Sequence, residues 1–223
     1  MKPGDPDTSY GWIDLYWIPL GIGGSGFVRT LGRLYESTKA RRDNRPPLAI
    51  YHTALRVGTP EGIYAVEMVL PSRGGDYRSR GVVLQGAVAS AWLAAWRILR
   101  YEVRRWRNGI LLDDEPTVVG PQRLTDDPDQ ASRLLESMDF VPQLVWGRDQ
   151  LETGEMWNSN SVISWLLVKA GLPIEAIQPP PGARAPGWDT GIVVATRGLP
   201  EPFDHSTEGR SQPGAADQGR QRS

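Results

Sequence analysis

Asn158, Ser159 and Asn160 stand between Trp157 and an apolar run, in EMWNSNSVISWLL over residues 155–167. Asn and Ser at the start of a helix can serve simply as caps, since a side-chain oxygen satisfies an amide that the first turn leaves unpaired. The same position can also activate a nucleophile, because the free amides and the positive end of the helix dipole stabilise a developing anion. Ser159 is then the attacking group, and it needs a base. The chain has two histidines, and His205 lies in a polar C-terminal stretch, so histidine chemistry in the folded body must use His52. His52 sits in the apolar strand LAIYHTALRV, where a lone histidine also serves as an ordinary structural residue.

A third group has to orient His52. The next strand, IYAVEMVL, offers two candidates whose merit depends on the hairpin register. If position 52 lies opposite 69, Glu67 shares the face of His52; if it lies opposite 68, Tyr64 does instead. Glu67 is preferred, because a carboxylate on an otherwise apolar strand demands a partner.

A histidine on an early strand followed by Asn-Ser-Asn at a late helix start resembles the circularly permuted papain-like superfamily. That group includes the PPPDE peptidases, the lecithin:retinol acyltransferase group and the NlpC-type hydrolases. The resemblance aligns His52 with the histidine of those families and Asn158-Ser159-Asn160 with an Asn-Cys-Asn nucleophile motif, serine replacing cysteine. It covers two short segments. The chain is also similar to actinobacterial proteins that carry no assigned activity. The resemblance implies a permuted papain-like α+β fold and a Ser159–His52 hydrolase or acyltransferase acting on an ester or amide, in a small-molecule, lipid or peptide substrate. Serine departs from the pattern in substance: a thiol of pKa about 8.5 can be held as a thiolate, whereas a hydroxyl needs general-base help during attack. The alternative is a catalytically inactive binding module in which Asn158 and Ser159 only cap the helix. Asn158, Asn160, Trp157 and Tyr64 are the candidate substrate-binding residues, and Trp146, Trp157, Trp165 and Trp188 the candidate walls of an aromatic groove.

Other clusters carry less chemistry. GIGGSG at 21–26 follows a strand and precedes a helix, but it lacks the Gly-Lys-Ser/Thr ending of a phosphate loop. In the cluster Arg97, Arg100, Arg104, Arg105 and Arg107, a strand puts Arg100 and Arg104 on one face and Arg105 and Arg107 on the other, so they form no single patch and read as solvated side chains. Asp113, Asp114 and Glu115 form a lone acidic run with no second cluster to complete a metal site. No cofactor or metal is expected.

The elements that must position these groups follow from periodicity. Ile13–Ile18, Leu48–Val57, Ile63–Leu70 and Arg100–Trp106 read as strands, with GTPEG joining the second and third. Phe27–Arg42, Ala87–Leu99, Asp126–Met138 and Ser159–Ala170 read as helices, the last closed by Gly171. Gly191–Thr196 reads as a final strand. The mixture gives an α+β class with an antiparallel sheet and packed helices.

Length and composition set the frame. The 223 residues contain 25 glycines and 19 prolines, with 39% hydrophobic and 23% charged residues, which suits one loop-rich domain. Residues 10–197 are assigned to it, with 1–9 and 198–223 as disordered ends. The net charge of −1 argues against nucleic acid as a partner. The absence of cysteine excludes disulfides and thiolate chemistry. Neither a signal peptide nor a membrane span is evident, so a cytoplasmic location is expected.

Overall fold

The computed structural model describes residues 11–20, 26–70, 81–89, 100–109, 111 and 119–197. Among these residues it is an α+β fold built on one seven-stranded sheet and four helices. In chain order these are β1 (Trp12–Pro19), α1 (Gly26–Arg42), β2 (Ala49–Thr59), β3 (Gly62–Val69), β4 (Val82–Ala87), β5 (Arg100–Arg107), β6 (Val119–Thr125), α2 (Pro128–Ser137), α3 (Ser159–Lys169), β7 (Ala183–Arg184) and α4 (Trp188–Arg197). The sheet runs β4-β5-β3-β2-β1-β6, antiparallel throughout, with the short β7 pairing β2 in parallel.

β1 lies between β2 and β6, and six of its eight residues are buried. That explains IDLYWI, which does not alternate in polarity: both faces of a central strand are covered. Its one carboxylate, Asp14, accepts from Arg123 Nε of β6 at 2.5 Å. β2 and β3 meet in the register Leu55↔Val66 to Thr59↔Gly62.

The two faces of the sheet differ. Leu15, Trp17, Leu55, Val57, Val66 and Met68 form one face and pack into the main core with α2 and α3. Tyr16, Ile18, Ala54 and Ala65 belong to the other face and a smaller core. α3 lies deep in the main core, with nine of its eleven residues buried, Ser159 to Leu167. A helix covered on all sides has no polar stripe, as its sequence shows. Its apolar side chains each contribute roughly 1.5–3 kcal/mol by leaving water. It ends in a glycine cap: Gly171 takes φ +79°, its N–H donates to Val168 O, and Leu172 N donates to Leu167 O.

Three expectations need correction. Gly191–Thr196 is not a strand but the body of α4. Its β-branched residues favour a strand, yet packing against α3 decides otherwise. A Cβ on Gly191 would stand 2.1 Å from both Ser161 O and Ser164 Oγ, so only glycine allows the two helices this approach. Ala87 closes β4 rather than opening a helix, and the remainder of that expected helix, 90–99, lies outside the described residues. The arginines of β5 are not solvated as a set. Arg104 is 7% exposed, directly opposite Glu67 on β3 and two residues from the fully buried Glu102 on its own face. It donates to Glu102 at 2.7 and 2.9 Å and to Glu67 at 3.3 Å.

The glycine cluster at 21–25, the acidic run at 113–115, the assigned ends 1–9 and 198–223, and His205 also lie outside the described residues. Among the described residues, no helix is long and apolar enough to cross a membrane, and no group of three potential metal ligands occurs.

Candidate functional site

The Asn-Ser-Asn segment opens α3, and each of its residues has a different situation. Asn158 is the N-cap: its Oδ1 accepts from Asn160 N at 2.8 Å and Ser161 N at 3.4 Å, while Ser161 Oγ accepts from Asn158 N at 3.1 Å. This is a closed capping box. Asn158 Nδ2 donates to Pro186 O at 2.8 Å. Asn160 reaches back to the sheet. Its Oδ1 accepts from Thr53 Oγ1 at 3.0 Å, and its Nδ2 donates to Tyr51 O at 3.0 Å and Pro186 O at 2.9 Å. The helix start and the β2 segment therefore meet.

They meet one residue out of step. Alternation along a strand sends Thr53 to the α3 face, beside Trp17 and Leu55, and His52 to the other, opposite Ile18. Asn160 finds Thr53. Ser159 Oγ and the His52 imidazole make no hydrogen bond with each other, nor with any other of the described residues. Burial holds the imidazole down, at about 4, and no neighbouring charge contributes to that shift. His52 is thus neutral near pH 7.

Neither proposed orienting group hydrogen-bonds His52. The observed β2–β3 register, continued, is the one that sets 69 opposite 52, so Tyr64 falls opposite Val57 on the other face. Glu67 shares the face of His52, but its partner is Arg104. Burial pushes the Glu67 carboxyl up, against the pull of the Arg104 guanidinium.

Beside the helix start is a cavity of about 440 Å³. α1 contributes Leu34, Tyr35 and Thr38 to its wall, and β2 contributes Ile50, Tyr51 and His52. Leu70, Val88, Trp146 and Met156 add further apolar surface, and Asn158, Ser159 and Asn160 form one polar end. Ser159 and His52 therefore line one space with no hydrogen bond between them.

The remaining candidates do not reach it. Tyr64 is not part of the wall, and Trp157 is 1% exposed in the main core with its indole N–H unpartnered. Trp165 and Trp188 are buried in that core too, Trp188 tilted 41° against Trp17 at 5.2 Å. Of the four tryptophans expected to frame a groove, only Trp146 lines this cavity. Trp188 instead borders a second one, of about 450 Å³, with Glu175 and Asp189.

A buried ionic chain behind the cavity was not foreseen. Glu36 follows the cavity-lining Tyr35 and is 2% exposed. It accepts from Arg45 Nη1 at 2.5 Å, Leu48 N at 2.9 Å and Arg184 Nη1 at 3.1 Å. Burial alone raises its carboxyl, but the donors from Arg45 and Leu48 outweigh that and hold it below the usual range. Arg184 also pairs with Glu155, whose Oε2 accepts from Gly187 N at 2.6 Å. The only hint in the sequence was a charged residue, Glu36, in the middle of α1, and it is one charge among many on that helix.

Comparison with family models, with curated proteins and with solved structures finds no match for this chain.

Proposed function

We propose that this chain is a binding module that holds a small molecule in the cavity beside α3, and that Asn158-Ser159-Asn160 is there as structure. The observation that carries the reading is the occupation of the helix start. An acyl-transfer site needs free amides aimed at the developing oxyanion. Here the Asn160 and Ser161 amides already donate to Asn158 Oδ1. Asn160 is tied to Thr53, Tyr51 O and Pro186 O, so it is not free to contact a substrate. What remains is a concave, largely carbon-lined space with a few polar groups at one end, the usual constitution of a small-molecule site.

The test combines thermal shift with a serine-reactive fluorophosphonate. Apolar compounds that fit the cavity should raise the unfolding temperature, by the equivalent of about 2.7 kcal/mol at a hundredfold excess over Kd. Val88→Trp, which fills the cavity, should abolish that shift. No labelling of Ser159 is expected. If no compound stabilises the wild type, the reading is wrong.

One observation favours a second reading: Ser159 and His52 line the same cavity, and a neutral imidazole can accept a proton. That reading is an ester or amide hydrolase with Ser159 as nucleophile. Labelling confined to Ser159 and lost in His52→Ala would establish it in place of the first.

A further inference from the structure

We infer that the ligand of the cavity beside α3 is an uncharged, mainly apolar molecule with one or two hydrogen-bonding groups, which lie toward Ser159; this rests on the binding reading above. Among the described residues the wall contains no Asp, Glu, Lys or Arg. Its polar side chains among those residues are Thr38, Tyr35, Tyr51, His52, Asn158, Ser159 and Asn160. Several are already committed. Asn158 and Asn160 hold the cap and the sheet, and Thr38 Oγ1 donates to Leu34 O. The hydroxyl of Ser159 is bonded to none of the described residues, which leaves it to meet a ligand group.

Charged residues flank the wall without lining it: Arg33 is exposed, Lys39 pairs with Asp43, Arg148 Nε donates to Ala89 O, and four more form a chain. Glu36, next to Tyr35, takes Arg45 and Arg184, and Arg184 takes Glu155, next to Met156. None of the four lines the cavity. A carboxylate or ammonium entering it would leave water and meet no counter-charge among the described lining residues. That costs far more than burying an alcohol or amide that finds a partner. The cavity thus selects against charge of either sign, while its apolar walls reward surface taken from water.

Three decyl compounds that differ only in headgroup separate the possibilities: decanol, decanoate and decylammonium, each displacing the neutral fluorophore N-phenyl-1-naphthylamine at pH 7. Decanol should displace it at a concentration at least about tenfold below that of either ion, a difference of about 1.4 kcal/mol. Leu34→Lys supplies the missing counter-charge at a wall position that is 63% exposed, where the fold tolerates it. It should improve decanoate relative to decanol by about fivefold or more. Equal or tighter displacement by decanoate or decylammonium in the wild type overturns the inference and leaves the binding reading standing. A fluorophore that fails to bind at all removes the binding reading itself.

Discussion

Neighbouring residues in the two segments that meet at the start of α3 have opposite fates. Thr53, Asn158 and Asn160 are knitted together by side-chain hydrogen bonds, while His52 and Ser159, one position away on each chain segment, have no bond to each other. The separation in sequence is the same, since 160 minus 53 and 159 minus 52 are both 107. Strand alternation makes the difference: one step along β2 turns a side chain from the α3 face to the opposite one. A His52–Ser159 pair joined as Thr53 and Asn160 are would need the imidazole on the α3 face. The contrast identifies Thr53–Asn160 as a structural clasp and leaves Ser159 at the edge of a cavity.

The largest expected effect is on the clasp. Asn160→Ala removes the partner of Thr53 Oγ1, at a buried position, and of Tyr51 O, at a half-buried one, while Pro186 O keeps its donor from Asn158. Unsatisfied buried groups cost about 1–3 kcal/mol each, so urea denaturation should show a loss of about 3 kcal/mol or more. A loss below about 1 kcal/mol would dissolve the distinction between clasp and bystander.

His52 should announce itself through pH. Its folded value of about 4 lies below the ordinary 6.5, so the unfolded chain takes up the proton first as pH falls. The stability present above about pH 6.5 is therefore lost progressively toward pH 4, by up to about 3 kcal/mol. Glu67, whose carboxyl is raised by burial, acts in the opposite sense above its ordinary 4.5. Comparing wild type with His52→Gln cancels Glu67. The variant should have a flatter stability profile between about pH 7 and about pH 4, and equal slopes would mean that the imidazole is solvated.

Asn158→Ala comes next. It opens the capping box and frees the Asn160 and Ser161 amides, at a cost of about 1–2 kcal/mol. It also sharpens the functional contrast. With those amides released, any latent anion affinity of the helix start should appear only in this variant.

How far the sequence could be read follows the same division. The apolar runs of β1, β2 and β3 and the 3.6-residue spacing of α2 marked their elements, because each buries a face with a regular period. α3 was readable at both ends from Asn158 and Gly171, whose chemistry is local. β6 was not, since its residues are mostly exposed and carry no alternation. α4 was misread because Gly191-Ile-Val-Val favours a strand until α3 is placed beside it. Within the site, the meeting of β2 with the helix start was legible. The face that His52 occupies was not, because it depends on which side of the sheet α3 covers. Glu67 was rightly expected to need a partner, but Arg104 stands opposite it on β5, a pairing between strands far apart in sequence.

The smallest expected effect is the most discriminating. Ser159 occupies the first turn of α3, where Asn158 already supplies the cap and Ser161 completes the box. Its hydroxyl has no bond to the described residues, so Ser159→Ala removes nothing that the fold uses, and alanine is the better helix former. Stability should change by less than about 0.5 kcal/mol. If Ser159 only borders a binding cavity, the variant should still bind N-phenyl-1-naphthylamine. A ligand that hydrogen-bonds the hydroxyl should weaken by about tenfold at most, the value of one such bond. If it is a nucleophile, binding should persist while turnover of a cleavable ester falls by several orders of magnitude, as loss of an acyl-transfer serine does. Binding that falls modestly, with no turnover to lose in the wild type, keeps the clasp and the cavity as separate devices on adjacent residues.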